Sequence, residues 1–185
     1  MATFEPFIVT PSVVESALSA VIEPVLKDQG LELVLLKVSR QPGGQVVMIY
    51  ADTLPPASPI TLAQLSDASR LLGHVLDVAD AEGKLFEEAY ELQVSSPGLE
   101  RPLTKLSHFS NAISKPVRVR FREDNGENRT VTGTLFEVRP SEGFVLRVHN
   151  DDMLIAWETL RTANLVFTPP IKVKPGKEKN PKPRK

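Results

Sequence analysis

Tyr90-Glu91-Leu92-Gln93-Val94-Ser95-Ser96-Pro97-Gly98-Leu99-Glu100-Arg101-Pro102-Leu103 is the stretch that divides this chain into two parts. Its first half alternates. Tyr90, Leu92 and Val94 fall on one face of a strand and Glu91, Gln93 and Ser95 on the other. The strand then has to stop. Pro97 fixes its own φ and holds Ser96 extended, and Gly98 reaches positive φ at no steric cost, so Ser96-Pro97-Gly98-Leu99 predicts a type II turn. Arg101-Pro102 is a second restricted pair, and Pro102 suits the first turn of a helix. Two readings follow. The joint is a rigid elbow between domains, or it is a presentation loop that offers Arg101, the Ser95 and Ser96 hydroxyls and backbone N–H groups to a partner.

Upstream, residues 1–10 read as a loose lead-in. Ser12 with Glu15 predicts a capping box. Val14, Leu18, Val21, Ile22, Val25 and Leu26 recur at helical spacing, Pro24 interrupts them late, and Gly30 ends the helix. Leu31 to Arg40 and Gln45 to Ala51 read as a hairpin around Pro42-Gly43-Gly44. A proline-rich loop, Asp52 to Pro59, precedes a second helix with Leu62, Leu65, Ala68, Ser69, Leu72, Val75 and Leu76 on its buried stripe. Asp77 to Glu88 reads as an acidic connection into the strand at Tyr90. The order is α-β-β-α-β, with helices covering one face of a small sheet.

Downstream, Leu103, Leu106, Phe109 and Ile113 make a short helical stripe, and from Pro116 the period switches to two. Val117, Val119 and Phe121 alternate with Arg118, Arg120 and Arg122. Turn signals at Asp124-Asn125-Gly126, Ser141-Glu142-Gly143 and Asn150-Asp151-Asp152 separate further short strands. Gly133 stands in mid-strand, where a glycine permits a sharp bend or a close backbone approach. Four or five short strands with tight turns read as a small β-barrel. Past Pro169 the chain is rich in Pro, Lys and Gly and is expected to be disordered. The fold class is therefore α+β, divided as an N-terminal domain over 1–96, an elbow over 97–103, a barrel over 104–170 and a basic tail over 171–185.

Residues 172–185 hold six Lys, one Arg and one Glu, so of the formal net charge of −1 the rest of the chain carries −7. An acidic body with a basic tail is not the profile of a protein coated in nucleic acid; it suits local RNA contacts or a basic protein partner. The chain has no cysteine, which rules out disulfides and thiolate metal sites and suits a reducing cytosol. No apolar run approaches the ~20 residues of a membrane span, and no secretory signal is expected at the N-terminus.

Catalytic chemistry finds little footing. His74, His108 and His149 lie on three separate elements, so no metal and no cofactor is expected. Ser95 or Ser96 with His108 lacks a Gly-x-Ser-x-Gly elbow, and Pro97 removes the N–H an oxyanion hole would use. No phosphate-binding glycine loop is present. The alternation of Arg118, Arg120 and Arg122 is better founded. It puts three guanidiniums on one strand face over about 13 Å, where they fit phosphates or form an ordinary solvated face. Arg101 and Lys105 lie nearby in sequence. Asp77, Asp80, Glu82, Glu87, Glu88 and Glu91 form the opposite feature, a solvated acidic surface or a steering patch for a Lys/Arg-rich protein. The basic tail adds salt-sensitive attraction to RNA, or solubility.

The run from Leu92 to Leu103 closely resembles the signature of the ribosome maturation factor RimP family; Gln93 stands where an acid is expected and Glu100 where Asp is commoner. Gly30-Leu31-Glu32-Leu33-Val34, Ile49-Tyr50-Ala51-Asp52, Leu76-Asp77 and Thr162-Ala163-Asn164-Leu165-Val166 extend the likeness to nearly the whole chain. The resemblance implies a KH-like α/β N-terminal domain and an Sm-like or SH3-like barrel. It implies a cytoplasmic, non-enzymatic factor that binds the immature small (30S) ribosomal subunit and assists its maturation, with ribosomal RNA and a decoding-centre ribosomal protein as partners. No membrane or small-molecule substrate is implied, and nothing demands an oligomer, so a monomer is expected. Ser96, Gly98, Arg101, Lys105, Arg118, Arg120 and Arg122 are the candidate RNA or partner contacts; Asp77, Asp80, Glu87 and Glu88 are the candidate contacts to the ribosomal protein. Two other classes remain, a general Sm-like RNA chaperone acting as a ring and a hydrolase using Ser96.

Overall fold

The computed structural model describes residues 7–9, 11–54, 58–83, 85–86 and 88–169. The tail over 171–185 and Glu87 lie outside the described residues, and of the Glu82 side chain nothing is said. The first half is built from helix α1 (Val13–Asp28), strands β1 (Leu31–Gln41) and β2 (Gly44–Thr53), helix α2 (Leu62–Gly83) and strand β3 (Tyr90–Ser95). Ser12 and Glu15 close the predicted capping box on α1. The helix runs through Pro24, one turn before its end. β1 and β2 pair antiparallel, and α2 carries the chain across so that β3 joins β2 in parallel, giving the order β1-β2-β3. Leu18, Ile22 and Leu26 of α1, Leu72 and Leu76 of α2, and Leu33, Val47 and Ile49 of the sheet are fully or almost fully buried together. The apolar side of each element faces this cluster, so both helices lie on one face of the sheet.

The second half begins with a short helix α3 (Leu106–Ser110) and continues as β4 (Pro116–Arg122), β5 (Asn128–Arg139), β6 (Gly143–Val148), β7 (Asp151–Ala156), a 3-10 turn (Trp157–Thr159) and β8 (Leu160–Leu165). The five strands form an antiparallel sheet in the order β7-β6-β5-β4-β8. Its core holds Phe109, Val117, Val119, Leu135, Phe144, Leu146 and Leu160. Phe109, Phe144 and Trp157 pack with ring centroids 4.9–5.2 Å apart, and the Trp157 indole donates to the Pro140 carbonyl at 3.0 Å.

The strand pairing does not close the small barrel expected from the sequence. The edge of β8 away from β4 does not pair with β7. It takes up the elbow instead: Leu165 donates to the Arg101 carbonyl at 2.9 Å, Leu103 to the Ala163 carbonyl at 2.8 Å, and Pro102 bridges Asn164. Pro102 is thus an extended, sheet-edge proline rather than the opening of a helix, and it suits that place because it has no N–H to leave unpaired. Three other readings shift. α2 continues through Asp77 and Asp80 to Gly83, where a loop was expected. The helix after Leu103 shrinks to five residues. Within the lead-in, Phe7 packs against the first core and Ile8 against the second.

Gly133 shows the close approach its position predicted. A Cβ there would lie 2.5 Å from the Arg147 carbonyl oxygen and 2.9 Å from Leu146 Cγ on β6. Gly133→Ala should therefore push β5 and β6 apart and cost about 2 kcal/mol, within the usual range for overpacking. Chemical denaturation of the variant measures this, and an unchanged midpoint would show that the strands yield freely.

Candidate nucleic-acid interface and the joint beside it

The elbow is organised by Arg101. Gly98 takes φ 67°, as a type II turn requires, and the chain then doubles back along β8. This aims the Arg101 guanidinium at the outer face of the three-stranded sheet, where Glu32 of β1 and Asp52 of β2 stand opposite each other in register. One guanidinium nitrogen bonds Asp52 Oδ2 and another bonds Glu32 Oε1. The three side chains are only 12–24% exposed. A planar fork bridging two carboxylates is a task for arginine rather than lysine.

His108 of α3 closes the other side of Glu32. Its Nδ1 accepts from the backbone N–H groups of Thr104 (3.2 Å) and Lys105 (3.3 Å), so Nε2 carries the proton in the neutral ring and faces Glu32 Oε2 at 3.3 Å. Thr104 Oγ1 donates to the Val34 carbonyl of β1, and Thr104 O accepts from Ile8 N at 2.8 Å. Lys105 is buried with its ammonium 3.0 Å from Glu23 of α1 and 5.0 Å from the centre of the Phe7 ring. The two halves therefore meet through buried, paired charges.

Burial pushes the Glu32 carboxyl up, but the His108 hydrogen bond and the His108 and Arg101 charges outweigh it and hold the group below its ordinary value of 4.5. A carboxylate with a depressed folded-state pKa stabilises the fold above its unfolded value and loses that contribution as pH falls through the folded value. Stability should thus decline below about pH 4.5, and Glu32→Gln should flatten that decline. Urea midpoints between pH 3 and 6 for both proteins check this; parallel curves would remove Glu32 from the account.

The arginine row of β4 lies on the outward face of the five-stranded sheet. Arg118, Arg120 and Arg122 are all exposed, while Val117 and Val119 between them are fully buried. Across the row stand Thr132, Thr130 and Asn128 of β5 on one side and Asn164 and Thr162 of β8 on the other. Arg118 lies 4.0 Å from Glu100 with both side chains more than half exposed, a contact worth little. Arg122 donates to the Gly126 carbonyl of its own hairpin at 3.2 Å. Arg120 has no ion-pair or hydrogen-bond partner among the described residues. The row is an electropositive strip flanked by small polar side chains and pointed at solvent.

The structure separates the remaining candidates. Arg101 and Lys105 belong to the joint and are already engaged by carboxylates, apart from the arginine row. Gly98 is exposed at the turn and Ser96 half-buried beside it. Asp77 accepts a 2.6 Å bond from the Tyr90 hydroxyl, and with burial this raises the Tyr90 pKa. Asp80 accepts from Phe86 N at 3.0 Å, and Glu88 lies 3.9 Å from Arg40. Part of the acidic cluster therefore fastens the α2–β3 connection. Among the described residues no three His, Asp or Glu side chains converge as metal ligands, and no helix is long and apolar enough to cross a membrane.

Residues 21–100 match the family model of the RimP N-terminal domain. This span runs from α1 through the sheet that carries Glu32 and Asp52 to the residue before Arg101. This part of the chain is similar to the N-terminal domain of the RimP family. A RimP N-terminal domain implies a part in ribosome maturation. What the sequence does not announce is the joint. Glu23, Glu32, Asp52 and His108 carry it; the sequence places His108 only among possible metal ligands or catalytic partners, and Glu32 and Asp52 only within runs that resemble the family. Their signal was present: Glu23 interrupts an apolar helical stripe, and Glu32 opens an otherwise apolar strand run.

Proposed function

We propose that this protein is a non-catalytic assembly factor of the small (30S) ribosomal subunit, acting in the cytoplasm as a monomer and holding ribosomal RNA and a basic ribosomal protein together while the subunit matures. The observation that carries this reading is the solvent-facing arginine row of β4 in a chain with a RimP N-terminal domain. Arg118, Arg120 and Arg122 contact phosphates; Thr130, Thr132, Asn164 and Thr162 offer hydroxyl and amide groups beside them. Asp77, Asp80 and Glu88, with Glu87 beyond the described residues, steer the Lys/Arg-rich partner. The proposed division is a KH-like domain up to residue 96, an elbow over 97–103 and an Sm-like module over 104–170, opened at one edge by the docked elbow. Arg101 and Lys105 set the angle between the modules rather than touching RNA.

Co-sedimentation with free small subunits, large subunits and assembled ribosomes tests the reading. Selective binding to free small subunits is expected, weakened at least tenfold when Arg118, Arg120 and Arg122 are all replaced by Gln, with the salt slope reduced by about three. Equal, salt-labile binding to every particle would favour a general RNA chaperone instead. Unchanged binding by the triple variant would remove the arginine row from the interface.

A further inference from the structure

Between the two sheets lies a cleft of about 350 Å³. We propose that it is a slot for one unpaired nucleotide of the RNA strand whose phosphates rest on the β4 arginine row; the proposal rests on the RNA-binding reading of that row. The floor is the outer face of the three-stranded sheet, with Leu35, Met48 and Tyr50 half-buried. The far wall is β8, with Arg161 and Thr162 exposed. Most of the lining is apolar, as a site that takes a flat, weakly polar body should be.

The cleft is lined by two cations, Lys37 and Arg161, and one acid, Glu15. Lys37 has no ion-pair or hydrogen-bond partner among the described residues, and Arg161 donates only to the carbonyl of its neighbour Leu160, at 3.2 Å. Glu15, the acid at the cleft, is spent: its carboxylate accepts from Ser12 N at 2.8 Å and Val38 N at 3.1 Å. The Tyr50 hydroxyl is also without a hydrogen-bond partner among the described residues. Two unpaired cations and an aromatic ring over an apolar floor fit a base with its flanking phosphates. The ring stacks the base and the cations hold the backbone.

Register links the cleft to the arginine row. Arg120 stands opposite Thr162 and Arg118 opposite Asn164, and Thr162 and Asn164 line the cleft. One strand spacing of about 5 Å separates the row from the cleft mouth. A single strand crossing β4 therefore meets the opening directly, and the joint that fixes the two sheets also fixes the width of the slot.

The test measures fluorescence anisotropy of the full-length protein with a ten-nucleotide single-stranded RNA and with a fully abasic oligomer of the same length. Tyr50→Leu should weaken binding of the base-bearing RNA about tenfold, leave the salt slope unchanged and leave the abasic oligomer unaffected. Lys37→Gln with Arg161→Gln, both at exposed positions, should lower the salt slope for both oligomers by about two. If neither cleft variant alters affinity while Arg118→Gln with Arg120→Gln does, the row binds RNA and the slot is refuted. Wild-type protein that binds neither oligomer overturns both the slot and the reading beneath it. Cleft variants that keep their RNA affinity but lose small-subunit binding would assign the cleft to a protein segment and likewise overturn the slot.

Discussion

Arg101→Ala should lower the unfolding free energy by about 3 kcal/mol, near the lower end of the cost of orphaning one side of a buried ion pair. The substitution removes one side chain but strands two carboxylates, Glu32 and Asp52, on the covered face of the sheet. Neither has enough remaining company. Glu32 keeps the Nε2 of His108 at 3.3 Å, and Asp52 keeps its own loop, where it accepts from Thr53 N at 2.9 Å. Arg101→Lys should recover less than half of the loss, because one ammonium cannot reach two carboxylates with a planar fork. Glu32→Gln with Asp52→Asn in the Arg101→Ala background should recover more, since it removes the stranded charge rather than replacing the cation. Urea denaturation of the four proteins measures the series. A loss below about 0.5 kcal/mol for Arg101→Ala would place the cluster among ordinary surface pairs.

Arg101 also marks where reading the sequence stops short. Its neighbours were legible because they act locally. Pro97 and Gly98 fix a turn wherever they occur together, and the alternation from Val117 to Arg122 announces a half-buried strand before any partner is known. The capping box at Ser12 and the hairpin at Pro42-Gly43 follow from the same short-range rules. The destination of the Arg101 side chain does not. It is decided by Glu32 and Asp52, 69 and 49 residues away, and the sequence offers no distance between them. The same holds for the open sheet. Strand lengths and turns foretold four or five strands, of which the sheet has five, but closure depends on what pairs with the outer edge of β8, and the competitor is the elbow itself. Of the candidate site, the arginine row was legible from its period of two. The role of Lys105 was not, because a lysine close in sequence to a basic stripe looks like part of it until Glu23 is found beneath.

Lys105→Met should be as costly as the loss of Arg101, about 3–4 kcal/mol, because Glu23 is nine-tenths covered and would be left without its partner. Adding Glu23→Leu should return most of that stability. Buried ion pairs replaced whole by apolar side chains of similar size are often neutral or better, the desolvation of both charges being avoided. The double variant then separates two roles that the single one confounds. If the pair serves stability alone, Glu23→Leu with Lys105→Met will bind small subunits as the unmodified protein does. If the pair fixes how α3 sits on α1, and through it the angle between the two sheets, the double variant will melt normally and yet bind small subunits several-fold more weakly. Apolar side chains hold no preferred direction, whereas the Lys105 ammonium is pinned to Glu23 at 3.0 Å and stands 5.0 Å from the Phe7 ring centre. The second outcome is the one expected of a molecule whose arginine row and acidic helix belong to different halves. Under the proposed function, such a molecule presents them to two surfaces of one particle at a set separation.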